Sequence, residues 1–187
     1  MPKGIKINGL DEIKLYLNDV KNGSNKALKN TVNRTITVAK KESTKEILKD
    51  LNVDKKTITK TYGQKRASQK SLTAKFWSRS KPLSLQLEPE TRFNATALGR
   101  RGSNAGYSFT IKKSKGKKIV PGAFRMTKGQ NTFLVARQKG RLKPIYTTRI
   151  SDMLENKNIN EKVREKASDF QVEELSSQVD KLIKKNR

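Results

Sequence analysis

The chain reads as an α+β fold: a central antiparallel β-sheet of hairpins, with a long N-terminal helix packed on it and helical N- and C-terminal arms. Three observations predict it. Apolar residues recur at three- and four-residue spacing from Ser24 to Leu51 and again after Ile150, the period of a helix buried on one face. Between Ser71 and Tyr146 apolar and polar residues alternate, and glycine-bearing turns separate the runs, as in antiparallel hairpins. Charge divides the chain in the same places. Residues Lys55 to Arg149 hold 24 Lys and Arg against two acids, Glu88 and Glu90, which is +22 of the net +26. The residues before them count 11 basic against 7 acidic, and those after them 8 against 8.

Taken in order, residues 11–21 place Ile13, Leu15, Leu17 and Val20 on a short apolar stripe that Asn22-Gly23 stops. The long helix follows, with Leu28, Val32, Ile36, Ala39 and Ile47 on one face. Thr31, Thr35, Thr37 and Ser43 lower its intrinsic helicity, so packing must hold it. Asp54 is the N-cap of a brief helix ending at Tyr62-Gly63. Strands are then expected over Leu72–Trp77, over Leu83, Leu85 and Leu87, and over Phe93, Ala95 and Ala97. The stretch from Gly99 to Gly106 reads as an exposed loop with Gly99, Gly102 and Gly106 as its punctuation.

A meander follows. Tyr107, Phe109 and Ile111 run up to a Lys-Ser-Lys-Gly-Lys tip, and Ile119-Val120 return. Phe124 to Met126 lead through Thr127–Asn131 to a strand at Thr132–Arg137, and the turn Gln138–Arg141 leads to Leu142–Tyr146. Ile150, Met153 and Leu154 make a short amphipathic turn that Asn156–Asn160 break. A final helix runs to Lys185 with Val163, Ala167, Phe170, Leu175, Val179, Leu182 and Ile183 on one stripe; alone it would be unstable, so it should dock on its own sheet or on a neighbouring subunit. The implied organisation is residues 1–54 N-terminal and helical, 55–149 the basic β region, which with residues 24–54 makes a single core domain, and 150–187 a C-terminal helical arm.

Composition narrows the chemistry. The 187 residues contain no cysteine and no histidine, which removes disulfides, thiolate and imidazole metal sites, and Cys or His catalysis. The acids recur beside lysines at helical spacing, as in Glu42 and Glu46 with Lys45 and Lys49, the pattern of solvated helix faces. No catalytic, cofactor or metal residue is therefore expected, and no enzyme. With 33% hydrophobic residues the chain's own core is thin, so part of the burial should come from neighbouring subunits. The sequence has no membrane-length apolar run and no apolar leader, which predicts synthesis in a cytoplasm.

A block of one charge sign favours an oppositely charged polymer, and nucleic acid is the common one. The candidate DNA-facing residues lie on turn tips and loops: Arg100, Arg101, Lys112, Lys113, Lys115, Lys117, Lys118, Lys128, Lys139 and Arg141. Exposed lysines also blunt sheet edges and keep proteins soluble, which is the simpler account of any one tip. Phe76, Trp77, Phe109, Phe124 and Phe133 fall where sheet core is expected, and no base-reading motif is present, so contact should be sequence-independent.

Four segments carry a resemblance. Val120-Pro121-Gly122-Ala123-Phe124, then Phe133-Leu134-Val135-Ala136-Arg137, then Gly140-Arg141-Leu142-Lys143-Pro144-Ile145, then Ile150-Ser151-Asp152-Met153-Leu154 are similar in order and spacing to the minor tail protein Z family of tailed bacteriophages. The long helix with Asn33-Arg34-Thr35 resembles that family's N-terminal helix, and the stretch from Leu72 to Leu87 also fits. One departure is Thr147-Thr148-Arg149, where the family pattern leads to expect a Gly-Pro type turn. The resemblance implies a structural virion protein at the head-proximal end of the tail, acting in tail completion or head-tail joining. It also implies a homo-oligomeric, sixfold ring around the DNA path, other tail or neck proteins as partners, no cofactor and no membrane. In that setting Pro121, Gly122, Ala123 and Phe124, with Phe133, Arg137 and Pro144, would shape the sheet without touching a ligand. The alternative is a soluble sequence-independent nucleic-acid-binding protein, ribosome- or nucleoid-associated.

Overall fold

The structure, a computed structural model, describes residues 3–7, 24–83, 96–97, 106–129 and 131–185. The expected helix at 11–21, the strands through Leu85, Leu87, Phe93 and Ala95, and Arg100 and Arg101 lie outside the described residues. The fold class is α+β, as the periodicities predict. Its helices are α1 (Ser24–Asp50), α2 (Lys55–Thr61), α3 (Ile150–Glu155) and α4 (Lys157–Lys185). Its strands are β1 (Lys3–Ile7), β2 (Tyr62–Lys65), β3 (Ala74–Ser78), β4 (Thr96–Ala97), β5 (Gly106–Phe109), β6 (Lys118–Pro121), β7 (Phe124–Lys128), β8 (Asn131–Gln138) and β9 (Arg141–Pro144).

These strands divide among three antiparallel three-stranded sheets, β1-β3-β2, β4-β5-β6 and β7-β8-β9, where the sequence suggested one. The joint between the second and third sheets is the Pro-Gly-Ala-Phe element. Pro121 ends β6, Gly122 turns at φ 66°, Ala123 is buried, and Phe124 opens β7. The turn redirects the chain, so β7 does not continue the ladder of β6. Strand β1 was not anticipated, although Ile5 and Ile7 alternate with Lys6.

Helix α1 packs along the C-terminal helix α4 as well as on β3, so the predicted arm is half of a helical pair. Three buried hydroxyls on α1 are satisfied within the helix, whereas that of Thr31 meets no partner among the described residues. Thr35 donates to the Thr31 carbonyl at 2.9 Å, Ser43 to Ala39 at 2.7 Å and Thr44 to Lys40 at 2.8 Å, which lets a threonine-rich face go inside. The ion pairs across the two helices keep step. From Arg34 to Glu42 to Glu46 along α1, the partners retreat along α4 from Glu174 to Lys166 to Lys162. Antiparallel helices in fixed register produce this matching. Glu42 and Glu46 are therefore not solvated-face acids: their side chains are only 16% and 11% exposed.

The Asn156–Asn160 break is narrower than expected. Asn156 alone interrupts the helices, accepting from the Asn158 N–H at 3.1 Å, and Asn160 donates to the Leu154 carbonyl at 3.1 Å. These asparagines cap helix ends, which is why they do not melt the segment. Asp54 caps α2 as predicted, accepting from the Thr57 N–H at 3.3 Å.

The main core joins Val32, Ile36, Ile47 and Leu51 of the α1 region to Ile58, Phe76, Ile150, Leu154 and Val163. It therefore draws on residues before 54, between 55 and 149, and after 150. Tyr62 meets Phe76 edge-on with centroids 5.9 Å apart, and burial pushes its hydroxyl up to about 12. Phe109 and Leu134 seed a second cluster with Val120, Ile111 and Ile145, where the second and third sheets meet.

Of the five aromatics assigned to the core, Phe76 and Phe109 are buried. Trp77 follows Phe76 in a strand and so faces the other way, half-buried on the outer face of the first sheet. Phe133 is half-buried and Phe124 is 39% exposed. Both lie on one face of the third sheet with Leu142 and Pro144, whose strand β9 is exposed throughout.

Candidate nucleic-acid interface

The strongest basic cluster surrounds the β5–β6 connection, a 3-10 turn at Lys113–Lys115 closed by Gly116. Gly116 takes φ 65° and ψ −167°, a backbone region that side chains with a Cβ scarcely enter. The turn is tied to the end of α1. Leu51 and Lys112 form an isolated bridge, the Asn52 N–H donates to Ile111 at 2.9 Å, and the Asn52 side chain donates to Thr110 at 3.3 Å.

Two of the tip lysines serve this docking. Lys113 Nζ donates to the Leu48 carbonyl at 2.7 Å, and Lys112 Nζ lies 3.4 Å from Asp50. Both meet the C-terminal end of α1, where unpaired carbonyls and the helix dipole favour cations. Lys115, Lys117 and Lys118 are exposed and make no salt bridge among the described residues.

The other tips belong to the hairpins of the third sheet. Lys128-Gly129 turns between β7 and β8, and Lys139-Gly140 turns between β8 and β9 with Arg141 next in line. Successive turns of a meander fall at opposite ends, so the eight residues of β8 hold these two tips roughly 25 Å apart. Lys139 and Gly140 both take positive φ, 48° and 75°, the pair that a two-residue type I′ hairpin demands. Arg137 is exposed on β8 opposite Leu142.

One cleft is built at the docked tip. It measures about 280 Å³ and is lined by Ile111, Lys112, Lys115, Gly116 and Lys118 on one side and Tyr146, Thr147 and Thr148 on the other. Thr147 and Thr148 of the second wall stand where the resemblance led to the expectation of a Gly-Pro type turn. This wall is held instead by Leu83: the Thr147 N–H donates to the Leu83 carbonyl at 2.8 Å, and the Leu83 N–H donates to Thr148 at 3.2 Å. In the sequence Tyr146 stands out only as the end of a strand and Thr148 only as part of a departure from the family pattern, neither as a site residue. No local pattern marks them, because the tip reaches them only through the fold.

Among the described residues no group of three or more acids could hold a metal ion, and no helix is long and apolar enough to cross a membrane. Compared with known proteins, the chain matches no family model, no curated protein and no solved structure.

Proposed function

We propose that the chain is a structural virion protein of a phage tail, acting in tail completion or head-tail joining as a subunit of a ring around the DNA path at the head-proximal end of the tail. One observation carries this role beyond the resemblance itself. The Pro-Gly-Ala-Phe joint leads into the third sheet, whose Phe133–Arg137 and Arg141–Pro144 strands bear most of the remaining resemblance, and that sheet leaves Phe124 39% and Leu142 45% exposed. A sheet with apolar side chains in solvent suits contact with neighbouring subunits or other tail and neck proteins. The exposed lysines would neutralise DNA crossing the junction, without reading its sequence.

Mass measurement on the purified chain, alone and in tail particles, tests the role. A closed ring of identical subunits, six in the expected case, or incorporation at the head-proximal end supports it. A monomer that binds duplex DNA tightly with a steep salt slope overturns it in favour of a free sequence-independent binder, the reading that the lysine-lined cleft favours by itself.

A further inference from the structure

We infer that the cleft between the 3-10 tip and Tyr146–Thr148 seats a phosphate group of a nucleic-acid backbone, an inference that rests on the nucleic-acid contact proposed above. Lys112, Lys115 and Lys118 line it, and among the described residues no carboxylate does. Lys112 is already balanced by Asp50 at 3.4 Å, so among the described residues the charge left without an ion pair at the cleft belongs to Lys115 and Lys118. Like charges gathered around one cavity repel each other until an anion enters, and a phosphate takes charge-assisted hydrogen bonds from ammonium groups and further ones from hydroxyls. Tyr146, 56% exposed, and Thr148 supply hydroxyls on the facing wall.

Rigidity and size separate this site from the other basic tips. Both walls are pinned by hydrogen bonds to other parts of the chain, the tip to α1 and the Tyr146–Thr148 segment to Leu83. A seat held on both sides loses little conformational freedom when it binds. At about 280 Å³ the cleft falls at the small end of ligand sites, which suits a phosphate with its adjoining sugar rather than an extended cofactor. Lys113, spent on the Leu48 carbonyl, has no part in the seat.

Lysine acetylation footprinting of the full chain, with inorganic phosphate or a short DNA duplex as the probe, tests the site in any state of assembly. Both probes should protect Lys115 and Lys118 and leave Lys113 unchanged. Lys115→Gln with Lys118→Gln should lower the log-log salt slope of duplex binding by about 1 to 2. Thr148→Val, which leaves net charge unchanged, should weaken duplex binding about tenfold, the equivalent of one hydrogen bond to a charged group. Circular dichroism and melting of each variant separate lost binding from lost folding.

Protection spread evenly over all basic tips, or a Thr148→Val protein that binds like wild type, overturns the seat. Protection by phosphate without any response to duplex overturns the nucleic-acid assignment. Failure of the ring leaves a distinct trace: a monomer with protection focused at Lys115 and Lys118 removes the tail role and keeps the seat.

Discussion

Gly63 on β2 lies directly opposite Trp77 on β3, and the indole rests so close to it that a Cβ at Gly63 would come within 2.6 Å of the ring. The tryptophan faces away from the core formed on the Phe76 side, and glycine is what allows it to lie down on its own sheet. Gly63→Ala should displace the indole into solvent, at a cost of about 1–3 kcal/mol for overpacking. Because Trp77 is the single tryptophan, its emission should shift to the red as the melting temperature falls. Unchanged emission in a stable variant would show that the indole is not packed this way.

Asn33 pins the β2–β3 connection to α1 with a reciprocal pair of hydrogen bonds. Its side chain donates to the Ala67 carbonyl at 3.1 Å and accepts from the Ala67 N–H at 2.9 Å. Asn33→Ala strands both backbone groups beside the buried Ala67 methyl and should cost about 2–3 kcal/mol in urea unfolding. Hydrogen exchange at the Ala67 amide should accelerate. Full retention of its protection would count against the clasp.

Arg34 holds Glu174 across the helical pair at 2.6 Å, and Gln178 donates to the same carboxylate oxygen at 2.7 Å. Glu174 is nearly buried whereas Arg34 is half-exposed, so solvent screens part of the attraction. A double-mutant cycle with Arg34→Ala and Glu174→Gln should return a coupling of about 1 kcal/mol. Additive effects would mean that Gln178 alone satisfies the carboxylate.

Acid should loosen this helical pair before it unfolds the sheets. The hydrogen bond from Lys49, and then the charges of Lys49, Lys162 and Lys45, hold the Glu46 carboxyl below its ordinary value of 4.5. A depressed carboxylate contributes stability that is present above its unfolded value and lost as pH falls through the folded one. Melting temperature should therefore decline below about pH 4.5, and Glu46→Gln should make that decline shallower. Equal acid limbs in the two proteins would remove Glu46 from the account.

Gly106 is a strand residue, not the loop punctuation that its neighbourhood suggests. It opens β5 opposite Pro121 at φ 154°, and a Cβ there would run into the Val120 carbonyl oxygen. Gly106→Ala should break the β5–β6 pairing locally, costing about 1–3 kcal/mol through backbone strain. The main core of α1, β3 and α4 should stay intact. Exchange rates at Tyr107 and Ser108 would report the pairing, and global loss of helix would contradict the separation of the two clusters.

Local signals in the sequence located the helices well. Three- and four-residue periodicity marked α1 almost to the residue, and Asp54 marked the start of α2, because helix faces and caps are written over a few consecutive residues. The hairpin tips were legible for the same reason: positive φ at Gly116, Gly129 and Gly140 is a property of the turn itself. Alternation also placed Phe76 inside; applied strictly, it would have placed Trp77 outside.

What the sequence could not express was which elements meet. Pairing of α1 with α4 joins residues such as Arg34 and Glu174, 140 positions apart, and no local period encodes that contact. The same holds for the +22 block. Composition identified the basic middle of the chain, but tertiary structure decided how its charges are used. It ties Lys112 and Lys113 to the end of α1, separates the Lys128 and Lys139 tips along β8, and brings Lys115 and Lys118 to a cleft opposite Thr148. Charge is a sum over residues and survives without a fold, whereas a site is a set of distances, and distances between remote residues exist only once the chain has packed.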